Sequence, residues 1–337
     1  MFQKPVHIYN IRANRNPPGL KTQHLVGVQA VQKLTNGNLS KVEIGTSELF
    51  FIPGTSFLSN LDLDIKTAGS IGLIAQILQI SVVISLNTDI IKINVIGGGT
   101  FGTGAPDPYY INEVTYHYFK KIGYNCKINV IKNGFYPKGG GNAEIILRPL
   151  KSVDYLRPLN LELQGVPLEI GGDIIASSNL QKPRVCERIR DEILLLSKTQ
   201  DFKNPLSRYD LKNSIKIKYE NTFSPGVGFN IWIKFDNDIK LGSGTYLGKI
   251  GVRSEDLARN AYRDLIDVIN SGATIDNYCS DQIIPLVYLC NEGSIFRIPK
   301  ETTHFKTNLE LLSKFIKREV LIQKYENSVL IKLKNKF

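Results

Sequence analysis

Residues 90–147 run IIKINVIGGGTFGTGAPDPYYINEVTYHYFKKIGYNCKINVIKNGFYPKGGGNAEIIL. The short β-branched run Ile90–Ile96 predicts a strand, and the apolar spacing of Tyr109–Lys121 predicts a helix. Strands are expected again at Cys126–Ile131 and Ala143–Leu147. Strand, helix, strand, strand is the texture of an α/β or α+β fold. The pentapeptide Lys-Ile-Asn-Val-Ile stands at 92–96 and again at 127–131, each copy leading into a glycine-rich loop. That recurrence suggests a repeated unit.

Outward from this stretch the alternation continues. A strand is expected at Val6–Ile11, a helix at His24–Leu34, and short strands at Val42–Ile44 and Leu49–Ile52 before the Pro53-Gly54 turn. Ala68–Leu86 reads as a buried helix. From about residue 172 the texture changes to one helix, Arg184–Leu196, a polar loop, Lys198–Lys212, and strands at Ser214–Lys218, Phe229–Phe235 and Ile239–Leu241. This is the pattern of a small inserted α+β domain, 172–253. The larger domain, 1–171 and 254–337, resumes with helices at Ser254–Asn270 and Ile283–Cys290 and a strand at Ile295–Ile298. A helix from about Asn308 and a hairpin, Val320–Tyr325 with Val329–Leu333, follow.

The chain has 337 residues, 42% hydrophobic and 22% charged, which suits about two globular domains and excludes a fibrous or disordered chain. The apolar run Ile71–Leu86 contains Gly72, Gln76, Gln79, Ser81 and Ser85, too short and too polar for a bilayer span. The N-terminus lacks a signal-peptide block, and the four cysteines form no CxxC pair, so a cytoplasmic protein with reduced thiols is expected. The net charge of +11 resides in the ends. Residues 1–42 carry six basic residues and no acid, and residues 314–337 carry seven basic residues and two acids. Charge gathered in this way suits a polyanion.

Two glycine loops stand out. Gly97–Gly102 matches GxGxxG, but Pro106 and Pro108 delay the next helix, and the next strand ends in Lys132-Asn133 rather than an acid. A dinucleotide site is therefore not expected. Gly134–Gly141 combines glycines with Phe135, Tyr136 and Lys138, which lets backbone approach a partner closely. Of the histidines, His7 and His117 read as packing residues, and His24 follows a basic loop where it could meet a phosphate. His304 precedes a helix whose capping box is expected at Thr307 and Glu310. A helix N-terminus there would offer positive potential to an anion. No Ser/His/Asp order surrounds it.

Six stretches together resemble the RNA 3'-terminal phosphate cyclases: 11-IRANRNPPGLKTQHL-25, 68-AGS-70 with Gln76, 98-GGTFGTGAPDPYYI-111, 134-GFYPKGGG-141, 278-YCSDQIIP-285 and 304-HFKTN-308. The resemblance covers residues 11–335 and is weak over about 172–253. It implies repeated β-α-β-α-β-β modules with a small inserted domain. It implies conversion of an RNA 3'-phosphate to a 2',3'-cyclic phosphate, using ATP and a divalent metal, Mg or Mn. His304 matches the family nucleophile, which forms a histidine–AMP adduct and passes AMP to the RNA. Gln76, Pro106, Tyr110, Tyr278, Cys279, Ser280, Asp281 and Gln282 match nucleotide-binding positions, with Pro106 and Tyr110 expected to pack on the adenine. Arg12, Arg15 and Lys21 are candidates for phosphate or RNA contact. The partners implied are ATP and RNA with a 3'-phosphate end, with no membrane and a possible homodimer. A non-catalytic cyclase-like scaffold in ribosomal RNA maturation is the alternative.

The family opens on a strand and a glycine-rich motif, roughly Gly-Glu-Gly-Gly-Gly-Gln, with no counterpart before Ile11. A first module without its first strand and helix is expected to expose a sheet edge, to self-associate or lose stability, and to lack an acidic metal ligand. If the basic ends contact about four phosphates of a single strand, a log–log plot of RNA affinity against salt should slope near −3. A flat salt response would remove the electrostatic argument.

Overall fold

The computed structural model describes residues 2–201 and 203–336. Phe202, inside the expected loop Lys198–Lys212, lies outside the described residues. The chain opens with β1 (Val6–Ile8), α1 (Thr22–Thr35), β2 (Asn38–Leu39) and β3 (Leu49–Ile52), which form an antiparallel sheet in the order β1-β3-β2. The strand expected at Val42–Ile44 is a turn instead, closed by Glu43 N–H on Thr46 Oγ1 at 2.8 Å. The short strand falls earlier because Asn36 ends α1 in the left-handed region, φ 50°, and reverses the chain at once. Phe50 and Ile52 share one face of this sheet and are each about half exposed, and His7 stacks on Phe50 at 3.9 Å.

Next come β4 (Asn60–Asp64), α2 (Ile71–Ser81), β5 (Ile91–Gly98), α3 (Pro108–Tyr110), a π-helical turn (Ile111–Thr115), α4 (Tyr116–Ile122), β6 (Asn125–Lys132) and β7 (Gly141–Arg148). The sheet order is β4-β5-β7-β6, with β4 and β5 parallel and the other pairs antiparallel. Helix α2 stops at Ser81, short of the expected Leu86, because Ile84 bridges to Leu150 and Ser85 N–H bonds the Leu150 carbonyl at 2.9 Å. The two Lys-Ile-Asn-Val-Ile copies do not mark separate units. They lie in β5 and β6 on either side of β7, in one register: Ile93 and Ile128 both face Ile145, and Val95 and Val130 both face Ala143. The same five residues answer the same two neighbours of one central strand.

The chain continues through β8 (Asn160–Leu161), β9 (Pro167–Ser177), α5 (Val185–Lys198), β10 (Lys212–Glu220), β11 (Val227–Phe235), β12 (Lys240–Gly242), β13 (Tyr246–Leu247) and α6 (Ser254–Asn270). Its sheet runs β10-β9-β11-β12, with β13 on β11. Strand β9 escapes the sequence pattern because it is buried on both faces, which erases alternation. Its Gly171 leaves room for the Trp232 ring, which a Cβ would meet at 2.2 Å. The buried face of α6, including Ala258, Ala261 and Leu265, joins the core of this sheet.

The chain closes with α7 (Asn277–Leu289), β14 (Ser294–Ile298), α8 (Thr303–Ser313), β15 (Val320–Lys324) and β16 (Val329–Leu333). The sheet is β8-β14-β16-β15, with β8 parallel to β14 and the rest antiparallel. This is the order and sense of β4-β5-β7-β6. Both four-stranded sheets contribute to one hydrophobic core with α2, α4 and α7. Among the described residues no helix is long and apolar enough to cross a membrane.

The C-terminal basic residues are largely engaged in structure. Arg318 donates to the carbonyls of Val287, Tyr288, Cys290 and Glu292 at the end of α7, and Lys334 pairs with Glu319 at 3.1 Å. Cations at a helix C-terminus complement the macrodipole. This reassigns part of the charge expected to face a polyanion.

Between the two cores lies a buried carboxylate, Asp107, fully covered. It caps α3, accepting from Tyr109 and Tyr110 N–H at 3.0 and 2.8 Å, from Thr245 Oγ1 at 2.6 Å and from Asn230 Nδ2 at 3.0 Å. Burial nevertheless pushes its carboxyl up to about 6. The folded protein therefore holds a proton at Asp107 between about pH 4 and 6 that the unfolded chain has lost, so this group's contribution falls as pH rises through that window. The Asp107→Asn variant should remove that decline, worth on the order of 2 kcal/mol. Urea unfolding at pH 4.5 and pH 7 checks this. An unchanged pH difference in the variant would overturn it.

Candidate active site

Helices α7 and α8 meet at their first turns. Asp276 caps α7, its Oδ1 accepting from Tyr278 and Cys279 N–H at 3.0 and 2.9 Å. The same carboxylate accepts from Tyr110 Oη at 2.6 Å and from Gly242 N–H at 2.9 Å. One buried group thus joins α7, α3 and strand β12. The helix starts six residues before the expected Ile283, so Tyr278, Asp281 and Gln282 stand on its first two turns. Tyr278 is half exposed, with its ring against Gly244 and edge-on to Tyr110 at 6.2 Å.

Helix α8 starts at Thr303, not near Asn308, and Thr307 with Glu310 is not its cap. Thr302 is: its Oγ1 accepts from Phe305 N–H at 2.9 Å and donates to Asp281 Oδ1 at 2.5 Å. Asn308 Nδ2 donates to the Asp281 carbonyl at 2.9 Å. His304 therefore sits inside the first turn, exposed, while Phe305 anchors the turn in the core. Burial raises the Asp281 carboxyl above its usual range, opposed by the Thr302 hydrogen bond and by the charge of His304.

A cleft of about 530 Å³ opens beside the start of α7; of the expected site residues only Tyr278 lines it, and His304 does not. Its lining includes Gly242, Ser243, Asn277, Tyr278, Pro299 and Lys300. The buried Oδ1 of Asn277 has no hydrogen-bond partner. The cleft has the aromatic wall of Tyr278 and the cation Lys300, and it is lined as well by the acids Asp264 and Asp267.

The expected nucleotide-binding residues divide into two sets. Tyr278, Asp281 and Gln282 share one face of α7, and Gln282 Oε1 accepts from Gln79 Nε2 of α2 at 3.4 Å. Gln76 lies one turn before Gln79 and is partly exposed. Cys279 and Ser280 are fully buried, and the Ser280 hydroxyl is spent on the Asn277 carbonyl at 2.8 Å. Tyr110 is also fully buried. The expectation that its face packs on adenine is corrected: the ring is covered by β12, and its hydroxyl holds Asp276. Pro106 is partly buried, and its carbonyl crosses α2 at Gly72.

The basic candidates gather at the start of α1. Arg12 donates to the Pro17 and Gly19 carbonyls at 3.1 and 2.8 Å, so it builds the loop, whereas Arg15 and Lys21 are exposed. His24 Nδ1 accepts from Lys21 N–H at 3.2 Å. Burial, then the charges of Arg12 and Lys21, hold its pKa low. Sequence reasoning missed Asp276, Thr302, Asn277 and Lys300. The signal was present in the N-cap residue types Asp276 and Thr302, which precede both helices.

A family model described as RNA 3'-terminal phosphate cyclase matches residues 1–322. The RNA 3'-terminal phosphate cyclase of Methanothermobacter thermautotrophicus is 32% identical over 324 residues, covering 95% of this chain and 88% of that protein. That of Caldivirga maquilingensis is 30% identical over 331 residues, with 97% and 89% covered. That of Pyrobaculum aerophilum is 33% identical over 319 residues, with 94% and 86% covered.

Thr302→Ala removes the cap of α8 and the donor to a partly buried carboxylate. It should cost about 1 kcal/mol for the cap and more for Asp281, with Thr302→Ser restoring most of the loss. Chemical denaturation of the three proteins measures it. Equal stability of the alanine variant would show that the contact carries no energy.

Proposed function

This chain belongs to the RNA 3'-terminal phosphate cyclase family, and from that premise we propose that it converts an RNA 3'-phosphate into a 2',3'-cyclic phosphate using ATP. The observation that carries the reading is the Thr302–Asp281 hydrogen bond at 2.5 Å, which fixes the first turn of α8 with His304 exposed. The turn follows Pro299 and Lys300, two residues of the cleft wall.

In the proposed reaction a ring nitrogen of His304 attacks the α-phosphorus of ATP. The bond to the β-phosphate breaks, pyrophosphate leaves, and the ring N–H proton goes to solvent. An oxygen of the RNA 3'-phosphate then attacks the AMP phosphorus, and the N–P bond breaks. The 2'-hydroxyl attacks the activated 3'-phosphorus, loses its proton, and expels AMP. A phosphate monoester dianion is a poor electrophile with a poor leaving group. The covalent detour supplies a better leaving group, and the neighbouring hydroxyl is already in position. Tyr278 supports base stacking at the cleft edge, and Lys300 offers charge to the phosphates.

Among the described residues no group of three His, Cys, Asp or Glu side chains could hold a metal ion. These residues do not supply a cage, and no step is routed through a metal. Mg or Mn remains part of the proposal as an ion carried chiefly by the triphosphate, the usual manner for Mg²⁺.

The proposal extends to organisation. The shared order of the two four-stranded sheets supports repeated β-α-β-α-β-β modules, and the second core supports an inserted unit that includes α6. The half-exposed Phe50 and Ile52 on one face of the β1-β3-β2 sheet support a homodimer. Four free cysteines suit a cytoplasmic setting. A scaffold in ribosomal RNA maturation needs no nucleophile, so an exposed His304 favours the enzyme.

Incubation with ATP labelled at the α-phosphate should label the protein through a bond that is acid-labile and alkali-stable. His304→Ala should abolish labelling at unchanged thermal stability, and Tyr278→Ala should raise the ATP concentration needed by about tenfold. Persistent labelling of His304→Ala would falsify the assignment.

A further inference from the structure

The second glycine loop, Gly134–Gly141, is not used by the chemistry above. It carries Tyr136, 81% exposed, and it meets the loop 221–226 between β10 and β11, which carries Phe223, 60% exposed. Large aromatics held this far out on a folded surface are uncommon and mark a contact.

The two loops are clamped together. Lys138 N–H donates to the buried Ser224 hydroxyl at 3.1 Å. Asn133 donates from its backbone and side chain to Glu220 at 3.1 and 2.8 Å. The Phe223 ring lies where a Cβ on Gly140 would stand, 2.2 Å from Cδ2, and Gly140 has φ +80°. Only glycine fits there. The loop is braced from behind as well, because Gly139 lies against the Gly97 carbonyl and Ala68, beside the N-terminus of α2. Both aromatics are therefore displayed on backbone that does not have to be ordered on binding.

Lysines outnumber acids around the rings, and the exposed Asp64 beside Lys66 accepts from the Lys66 backbone N–H at 2.9 Å. Lys132 Nζ sits 4.1 Å from the Phe223 centroid, and Lys138 and Lys66 are exposed. A second nearby acid, Glu220, is committed to Asn133 and to Lys218 at 3.1 Å. Exposed rings interleaved with lysines take stacked bases and their phosphates, and every base has a face to offer. A duplex hides those faces and would not fit.

We infer that Tyr136 and Phe223 form a stacking platform for unpaired nucleotides of single-stranded RNA, with Lys66, Lys132 and Lys138 holding the phosphates. The inference rests on the reading of the chain as acting on an RNA end. It assigns those bases to the junction of the glycine loop and the β10–β11 loop, and it implies little base preference.

The test is fluorescence anisotropy without ATP, using a single-stranded RNA of about 12 nucleotides with a 3'-phosphate. Phe223→Ala should weaken binding about tenfold, Tyr136→Ala comparably, and Phe223→Trp should bind like the parent. The same RNA made largely abasic should bind the parent protein weakly, and Phe223→Ala should lose nothing more on it. Thermal unfolding of each variant reports the fold. Unchanged affinity of the double alanine variant for intact RNA overturns the inference and assigns the surface to another class of partner. An equal loss on intact and abasic RNA also overturns it, since that loss is not stacking. Failure of the cyclase reading is a separate result: the parent protein would make no 2',3'-cyclic phosphate with ATP, and these binding constants would still be readable.

Discussion

The arrangement of the site depends on one buried carboxylate. Asp276 has no solvent, and burial pushes its carboxyl above the usual range. An isolated buried charge costs several kcal/mol, so the group persists only because its partners converge on it. Tyr110 arrives from α3, Gly242 from the second core, and the first turn of α7 from the chain itself. Losing any one leaves a buried acceptor short of donors, so three segments distant in sequence are held to one geometry. Tyr278 inherits its position from that constraint, and α7 in turn sets Asp281 against Thr302.

The same logic governs the contact between the two cores. Asp107 and Asp276 lie on either side of Tyr110, each capping a helix and each bound to a residue of the β10-β9-β11-β12 sheet, Asn230 or Gly242. Apolar contact alone would let two sheets slide. Directed donors at 2.6–3.0 Å do not, because a small shift strands a buried polar atom. Close approach is also built in, since Gly242 stands where a Cβ would meet the Tyr110 ring at 2.5 Å. The second core thereby shapes the cleft, and Gly242 of its sheet with the adjoining Ser243 line it beside Tyr278.

Much of this was legible in the chain. The strands around 90–147 follow from β-branched runs between glycine loops, and α6 follows from its helical apolar spacing. Family motifs singled out His304, Asp281 and Tyr278 before any contact was known. Errors fell where one signal served two structures. The Lys-Ile-Asn-Val-Ile repeat reads as two units, yet both copies flank β7, because equivalent neighbours select equivalent residues. Thr307 with Glu310 has capping spacing, yet Thr302 caps α8, because only Thr302 also reaches Asp281. Strand β9 was missed because burial on both faces removes the alternation that marks a strand.

The sequence by itself determined the alternation of elements and the loops that glycine requires, because these depend on neighbours within a few positions. Only the tertiary structure decided that Tyr110 is a buried support rather than an open wall. It alone showed that Arg318 clasps the end of α7, and that Phe223 stands over Gly140 beside Lys132. Burial and partnership between residues distant in sequence depend on how sheets stack, and local spacing carries no record of that.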